Sequence, residues 1–143
     1  MSANEPGQPP LSATTFTYNH TAPRIALAIG AHPDDVEFGC GGTLAKWAAQ
    51  GTVVHHLVCT DGSKGTWDEN ADLPSLIASR QSEQRNAAAA LGASGTVNFL
   101  GYVDGELPHS SVVIDKIALT IRTLQPNVVL SHDPWKRYRL HPD

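Results

Sequence analysis

Short apolar runs and amphipathic stretches alternate along most of this chain. Arg24 to Ile29 (Arg-Ile-Ala-Leu-Ala-Ile) reads as a buried strand. Val53 to Cys59, Val97 to Leu100 and Val128 to Ser131 repeat the signal. Between them the apolar positions move to helical spacing. Thr43 to Gln50 predicts a helix ended by Gly51, and Pro74 to Leu91 a longer one with Asp72 near its start and Gly92 at its end. Ser111 to Leu124 predicts a third, stopped by Pro126. Residues 1 to 23, rich in Pro, Ser, Thr and Asn, read as a flexible tail. The alternation predicts a Rossmann-like, three-layer α/β fold over 24–143, with a mostly parallel sheet.

In such a sheet every strand exit lies on one rim, where open α/β folds bind ligands. The four exits deliver His32-Pro33-Asp34-Asp35, Thr60-Asp61-Gly62, the Gly101 to Glu106 stretch and His132-Asp133-Pro134. A His with a carboxylate three residues on can hold a divalent metal, which makes His32 and Asp35 candidate ligands. Asp34 can then face the water that the metal binds. The alternative is a capping cluster at a helix N-terminus.

The Gly39-Cys40-Gly41-Gly42 run fails as a dinucleotide fingerprint, because Leu44 stands where a small residue is needed. It also lacks a phosphate-loop lysine. It reads better as a tight turn that lets the next helix pack closely on the sheet. On the long helix, Arg80 and Gln84 fall in the middle of the face shared by Leu73, Leu76, Ile77, Ala87, Ala88 and Leu91. Arg80 either pairs with Glu83 or reaches the rim to bind an oxygen-rich substrate. Asp61-Gly62 and Asp104-Gly105 are ordinary turn signals. His55 and His56 are consecutive in a strand, face opposite sides and cannot form one site.

Composition narrows the function. Ten Lys and Arg against fourteen Asp and Glu, a net charge of -4, leave no basic stripe for nucleic acid. No run approaches the roughly 20 apolar residues of a membrane span. The N-terminus lacks the cationic and apolar regions of a signal peptide. Cys40 and Cys59 match no zinc or redox spacing and read as free thiols in a reducing cytoplasm.

Taken together, these residues resemble the LmbE-like/PIG-L family of zinc-dependent N-deacetylases. The matching stretches are Ala-His-Pro-Asp-Asp at 31–35, Gly-Cys-Gly-Gly-Thr at 39–43, Thr-Asp-Gly at 60–62 and Arg80-x-x-Glu83. They continue with Leu91-Gly92, Gly101-x-x-Asp104-Gly105, His132-Asp133-Pro134 and His141-Pro142-Asp143. The resemblance implies that His32 and Asp35 bind zinc, with iron as the alternative ion. It implies Asp34 as general base, His141 as oxyanion stabiliser oriented by Asp143, and Arg80 and Asp104 as substrate contacts. The expected reaction removes an acetyl group from a small N-acetylated amino sugar or related conjugate. The family's last motif reads His-Pro-Asp-His, and its second His is the third ligand. Asp143 is the last residue here, so the chain is expected to be the N-terminal portion of a longer protein, incomplete at its C-terminus. An uncovered sheet edge after Val128 to Ser131 then points to self-association as a homo-oligomer. The catalytic Tyr of some members falls at Arg139, beside Tyr138. The contrasting expectation is a non-catalytic sugar- or metal-binding module without the third ligand.

Overall fold

The structure is a computed structural model and describes residues 21–135 and 141–143. The tail predicted for residues 1–23 therefore lies mostly outside the described residues, as do Tyr138 and Arg139. The elements run β1 (Ile25–Gly30), α1 (Asp35–Ala49), β2 (Val53–Thr60), α2 (Leu73–Ala90), β3 (Val97–Tyr102), α3 (Ser111–Leu124) and β4 (Val128–Leu130). The four strands form one sheet in the order β3-β2-β1-β4, with every pair parallel. The expected α/β architecture is what the chain adopts.

The order explains where ligands can go. The chain adds β2 and β3 on one side of β1, then returns to lay β4 on the other. The reversal falls between β1 and β4, and a crevice opens beyond the carboxyl ends of strands at such a switch point. Register fixes the two exits side by side: Ala26 pairs with Val128 and Ala28 with Leu130. His32 and His132 follow within two residues of those strand ends.

Burial follows the apolar pattern. Ala26, Leu27 and Ala28 of β1 and Val54, Leu57 and Val58 of β2 are buried, as are Val36 and Leu44 of α1, Ala88 of α2 and Val113 of α3. Ala28, Val36, Leu44 and Val54 form one core cluster, with Trp47 and Leu130 packed against it. At the start of α3, the Ser110 hydroxyl accepts from the Val113 amide at 3.4 Å. Asp72 precedes α2, but its carboxylate accepts from the Ser75 hydroxyl at 2.5 Å and caps no backbone amide.

One element differs from the sequence reading. α1 begins at Asp35, eight residues before the predicted Thr43, so the glycine run is helical and not a turn. Each Gly costs a helix about 1 kcal/mol relative to Ala, and tertiary packing overrides that preference here. Gly41 is buried, and a Cβ there would sit 3.7 Å from the Leu91 side chain at the end of α2. Close helix packing is therefore its structural use, and no phosphate cradle forms. Among the described residues no helix is long and apolar enough to cross a membrane.

His56 is a polar residue inside this core. Its side chain is fully buried and meets Gln84 of α2 at 3.2 Å. Glu37 of α1 lies 3.7 Å from it. Burial depresses its pKa from 6.5 to about 4. Between those values the unfolded chain binds more protons than the folded one. Stability from this group is thus complete above about pH 6.5 and is lost as pH falls towards 4. The full loss is up to about 3 kcal/mol. Denaturant midpoints at pH 7 and pH 4.5 check this: the wild type should lose more stability than His56→Leu. Equal losses in the two proteins would contradict it.

Candidate active site

The rim is built from the exit of β1 outward. Immediately after the strand, the Asp35 carboxylate accepts from the His32 backbone amide at 2.8 Å and closes a tight turn around buried Pro33. The same oxygen, Oδ2, lies 3.4 Å from His32 Nδ1 and 3.2 Å from His132 Nε2. One carboxylate therefore bridges two imidazoles across the switch point between β1 and β4.

The other ring nitrogen of His32 faces two more carboxylates. Nε2 is 3.0 Å from Asp143 Oδ2 and 3.3 Å from Asp104 Oδ1. Both are anchored by backbone. Asp143 accepts from the amides of Gly105 at 2.6 Å and Leu107 at 2.8 Å. Asp104 is buried, its amide donates to Asp61 Oδ1 at 3.1 Å, and its carboxylate accepts from the Lys64 amide at 3.2 Å. Asp61 also takes the Ser63 amide at 2.9 Å, so this turn residue ties the loop after β2 to the loop after β3. His141 packs edge-on against His32, with ring centroids 4.4 Å apart. His32, His141 and Asp143 each offer a ligand atom, all within 4.8 Å of one another.

The charges respond to this crowding. Hydrogen bonding to Asp35 leads a set of carboxylate contacts that raise the His32 pKa to about 9, against a smaller opposing effect of burial. Burial alone would raise Asp35, but the His32 ring and amide and the charge of His132 outweigh it and bring Asp35 to about 2. Asp143 is likewise pulled below the usual carboxylate range: burial opposes the change, and the Leu107 and Gly105 amides and His32 overcome it.

Asp34 stands beside this cluster. It precedes α1 at φ 96°, in the left-handed region, with its side chain about half exposed. Arg80 reaches it from α2, bonding Asp34 Oδ2 at 2.7 Å and the Pro33 carbonyl at 2.9 Å. A second guanidinium nitrogen bonds Glu83 at 3.1 Å. Arg80 thus pairs with Glu83 and also reaches the rim. Asp34, Arg80, Glu37 and Phe38 line a cavity of about 250 Å³ between α1 and α2. A larger cleft of about 410 Å³ lies at the opposite end of β1, lined by Pro23, Trp47 and Asn127 among others. Among the described residues no carboxylate or imidazole lines it, whereas the rim gathers several.

The structure brings together His32, Asp35, Asp104, His141 and Asp143, and places Asp34 and Arg80 alongside as a pair. The Asp143 carboxylate is turned towards His32, and it is the Asp143 backbone N–H that donates to His141 Nδ1, at 3.4 Å. Three further residues contribute. Asp61 looks like a plain Asp-Gly turn in sequence. His132, whose place beside Asp133 at a strand exit suits acid–base work or an oxyanion contact, lies against Asp35. Gln84 shows itself only as a polar residue on an apolar helix face.

Comparison with known proteins places this arrangement in a family. Residues 27–143 match the PIG-L family, described as GlcNAc-PI de-N-acetylase. The chain belongs to that family. It is 39% identical over 117 residues to the diacetylchitobiose deacetylase of Thermococcus kodakarensis, covering 82% of this chain and 43% of that protein. It is 36% identical over 145 residues to the 1D-myo-inositol 2-acetamido-2-deoxy-alpha-D-glucopyranoside deacetylase of Rhodococcus jostii, covering 84% of this chain and 49% of that one. The chain thus spans about half the length of these relatives. The solved N,N'-diacetylchitobiose deacetylase of Pyrococcus horikoshii superimposes with a TM-score of 0.80 at 38% identity, over 84% of this chain and 45% of that one. GalB of Pseudomonas putida, a 4-carboxy-2-hydroxymuconate hydratase, superimposes with a TM-score of 0.73 at 27% identity, over 83% and 51%.

The electrostatics can be read directly. In protein stripped of divalent ions, the His32 imidazole should titrate near pH 9, followed by its ring-proton chemical shift. Asp143→Asn should lower that value. A His32 that titrates at or below 6.5 would show that the carboxylates are not gathered around it.

Proposed function

We propose that this rim is the active site of a metal-dependent hydrolase that removes an acetyl group from an N-acetylated amino sugar or a related conjugate. The observation that carries the reading is the imidazole of His32 set among three carboxylates at the switch point, with a fourth, Asp34, held beside it. Membership of a de-N-acetylase family supports it, and so do relatives named for deacetylation of amino-sugar conjugates. Two free thiols, one of them buried, fit a reducing compartment, and we place the protein in the cytoplasm.

The donor set suits a divalent cation. Imidazole nitrogen and carboxylate oxygen are the usual ligands of catalytic zinc, and iron accepts the same set. Without a cation the cluster holds a proton on His32 far above the ordinary histidine range, and that one imidazolium still faces three carboxylates. His32 and Asp35 are the residues we assign to hold the ion. When bound, the ion supplies Lewis acidity and lowers the pKa of a water towards about 7.

The remaining work belongs to side chains. Asp34, half exposed on the cavity side, accepts the proton of the attacking water as its oxygen bonds the acetyl carbonyl carbon. His141, beside His32 on the open rim, hydrogen-bonds the oxygen on which negative charge develops. Asp143 fixes the Gly105–Leu107 loop around the site. As the C–N bond breaks, Asp34 returns the proton to the departing nitrogen, giving acetate and a free amine. Arg80 holds the Asp34 carboxylate through its 2.7 Å ion pair, and with Asp104 forms the wall that a sugar's hydroxyls meet.

Two outcomes test this in the whole protein. His32→Ala should lose its divalent ion by elemental analysis, and full retention would refute the ligand assignment. Asp34→Asn should keep the ion but release acetate from N-acetylated chitobiose about 10²–10⁴ times more slowly. Near-normal turnover would move the base elsewhere. A wild-type protein that binds the ion and the sugar but releases no acetate would favour a binding module.

A further inference from the structure

The peptide unit between Pro33 and Asp34 is gripped from both ends by one helix. Its carbonyl oxygen accepts from the Arg80 guanidinium at 2.9 Å, and its N–H donates to Gln84 Oε1 at 2.8 Å. Residues 80 and 84 are one helical turn apart on α2, so both side chains leave the same face. The grip falls where the backbone most needs it. Asp34 is one of two non-glycine residues with positive φ among the described residues, at φ 96° and ψ -22°. Such a conformation costs about 1–3 kcal/mol and persists only where surroundings impose it.

Gln84 is itself locked. It is 2% exposed, and its Nε2 donates to Glu37 Oε1 at 2.8 Å and lies 3.2 Å from His56 Nδ1, which accepts from it when the imidazole carries its proton on Nε2. Turning the amide over would set its oxygen against the Glu37 carboxylate and its NH₂ against the Asp34 N–H. The amide therefore has one satisfied orientation, with its oxygen on Asp34. Both donors and one acceptor are used, inside a core where an unsatisfied polar group is costly. Three elements converge on it: α1 through Glu37, β2 through His56, and the β1–α1 turn through Asp34.

We propose that Gln84 is a positioning residue for Asp34: buried between Glu37 and His56, it holds the Pro33–Asp34 peptide in its left-handed form and so aims the Asp34 carboxylate. Its effect on turnover rests on the reading of Asp34 as general base. Arg80 contributes charge and one hydrogen bond to this grip. Gln84 contributes the bond to the amide of Asp34 itself and bears no charge, so its loss separates aim from electrostatics.

The test uses three variants of the whole protein: Gln84→Leu, Gln84→Glu, and the exchange Gln84→Glu with Glu37→Gln. Gln84→Leu removes the acceptor at similar volume. The Asp34 amide should then exchange with deuterium at least about tenfold faster. Its kcat should fall by about 10–10²-fold, the usual consequence of a misplaced group, with KM within about twofold and metal content unchanged. Gln84→Glu sets two carboxylates face to face and should be impaired likewise. The exchange restores a donor at 37 opposite an acceptor at 84, and should recover kcat to within about threefold of wild type. A folded Gln84→Leu with an unchanged Asp34 amide and unchanged kcat would overturn the proposal. So would an exchange variant no better than Gln84→Glu alone, which also decides the matter if Gln84→Leu does not fold. If the wild type shows no deacetylation, the proposed reaction fails, while deuterium exchange at Asp34 still tests the grip.

Discussion

One imidazole among three carboxylates is the interaction on which this rim depends. Asp35, Asp104 and Asp143 come from three separate stretches of chain and meet at His32. Left without a counter-charge, such a group would repel itself apart, because partial burial weakens the screening that water provides. Two things hold it. Backbone amides and the His32 ring stabilise the anions, as the low pKa of Asp35 and the depressed Asp143 show. The loops are also tied to one another, through Asp61 onto the Asp104 amide and through Asp143 onto Gly105 and Leu107. The same geometry that makes the cluster expensive concentrates negative charge at the switch point.

The fold provides the place and α2 provides the precision. The strand order sets the exits of β1 and β4 beside each other, so that His132 reaches Asp35 from the far side of the switch point. α2 then lies with Arg80 and Gln84 turned into the β1–α1 turn. A helix with two polar side chains on its inner face loses some apolar burial. It gains a fixed relation between the sheet, the start of α1 and Asp34.

Much of this was legible in the sequence. Four apolar runs gave four strands with boundaries correct to one or two residues, and the signals around Ser111 and Pro126 gave α3 as it stands. The convergence of strand exits followed from topology alone. α1 was misjudged at its start because Gly39, Gly41 and Gly42 argue locally against a helix, while the packing of Gly41 against Leu91 is a long-range fact. Asp61 looks like any Asp-Gly turn, since nothing local shows that its carboxylate caps a loop 43 residues away. His55 meets Thr96, while its neighbour His56 turns into the core. Their period could not reveal that His56 would find Gln84, 28 residues on, inside the core. Local chemistry marks elements and motifs, whereas contacts between distant polar residues need the folded chain.

The central claim is that the carboxylates around His32 serve a divalent ion. Anomalous X-ray scattering from crystals of the whole protein, recorded at the zinc and iron edges, tests it most directly. The account predicts a single strong peak bonded to His32 and Asp35 at about 2.0–2.2 Å, with Asp34 outside bonding distance. No peak at the rim in crystals grown with the metal, or a peak bonded by neither His32 nor Asp35, would contradict it.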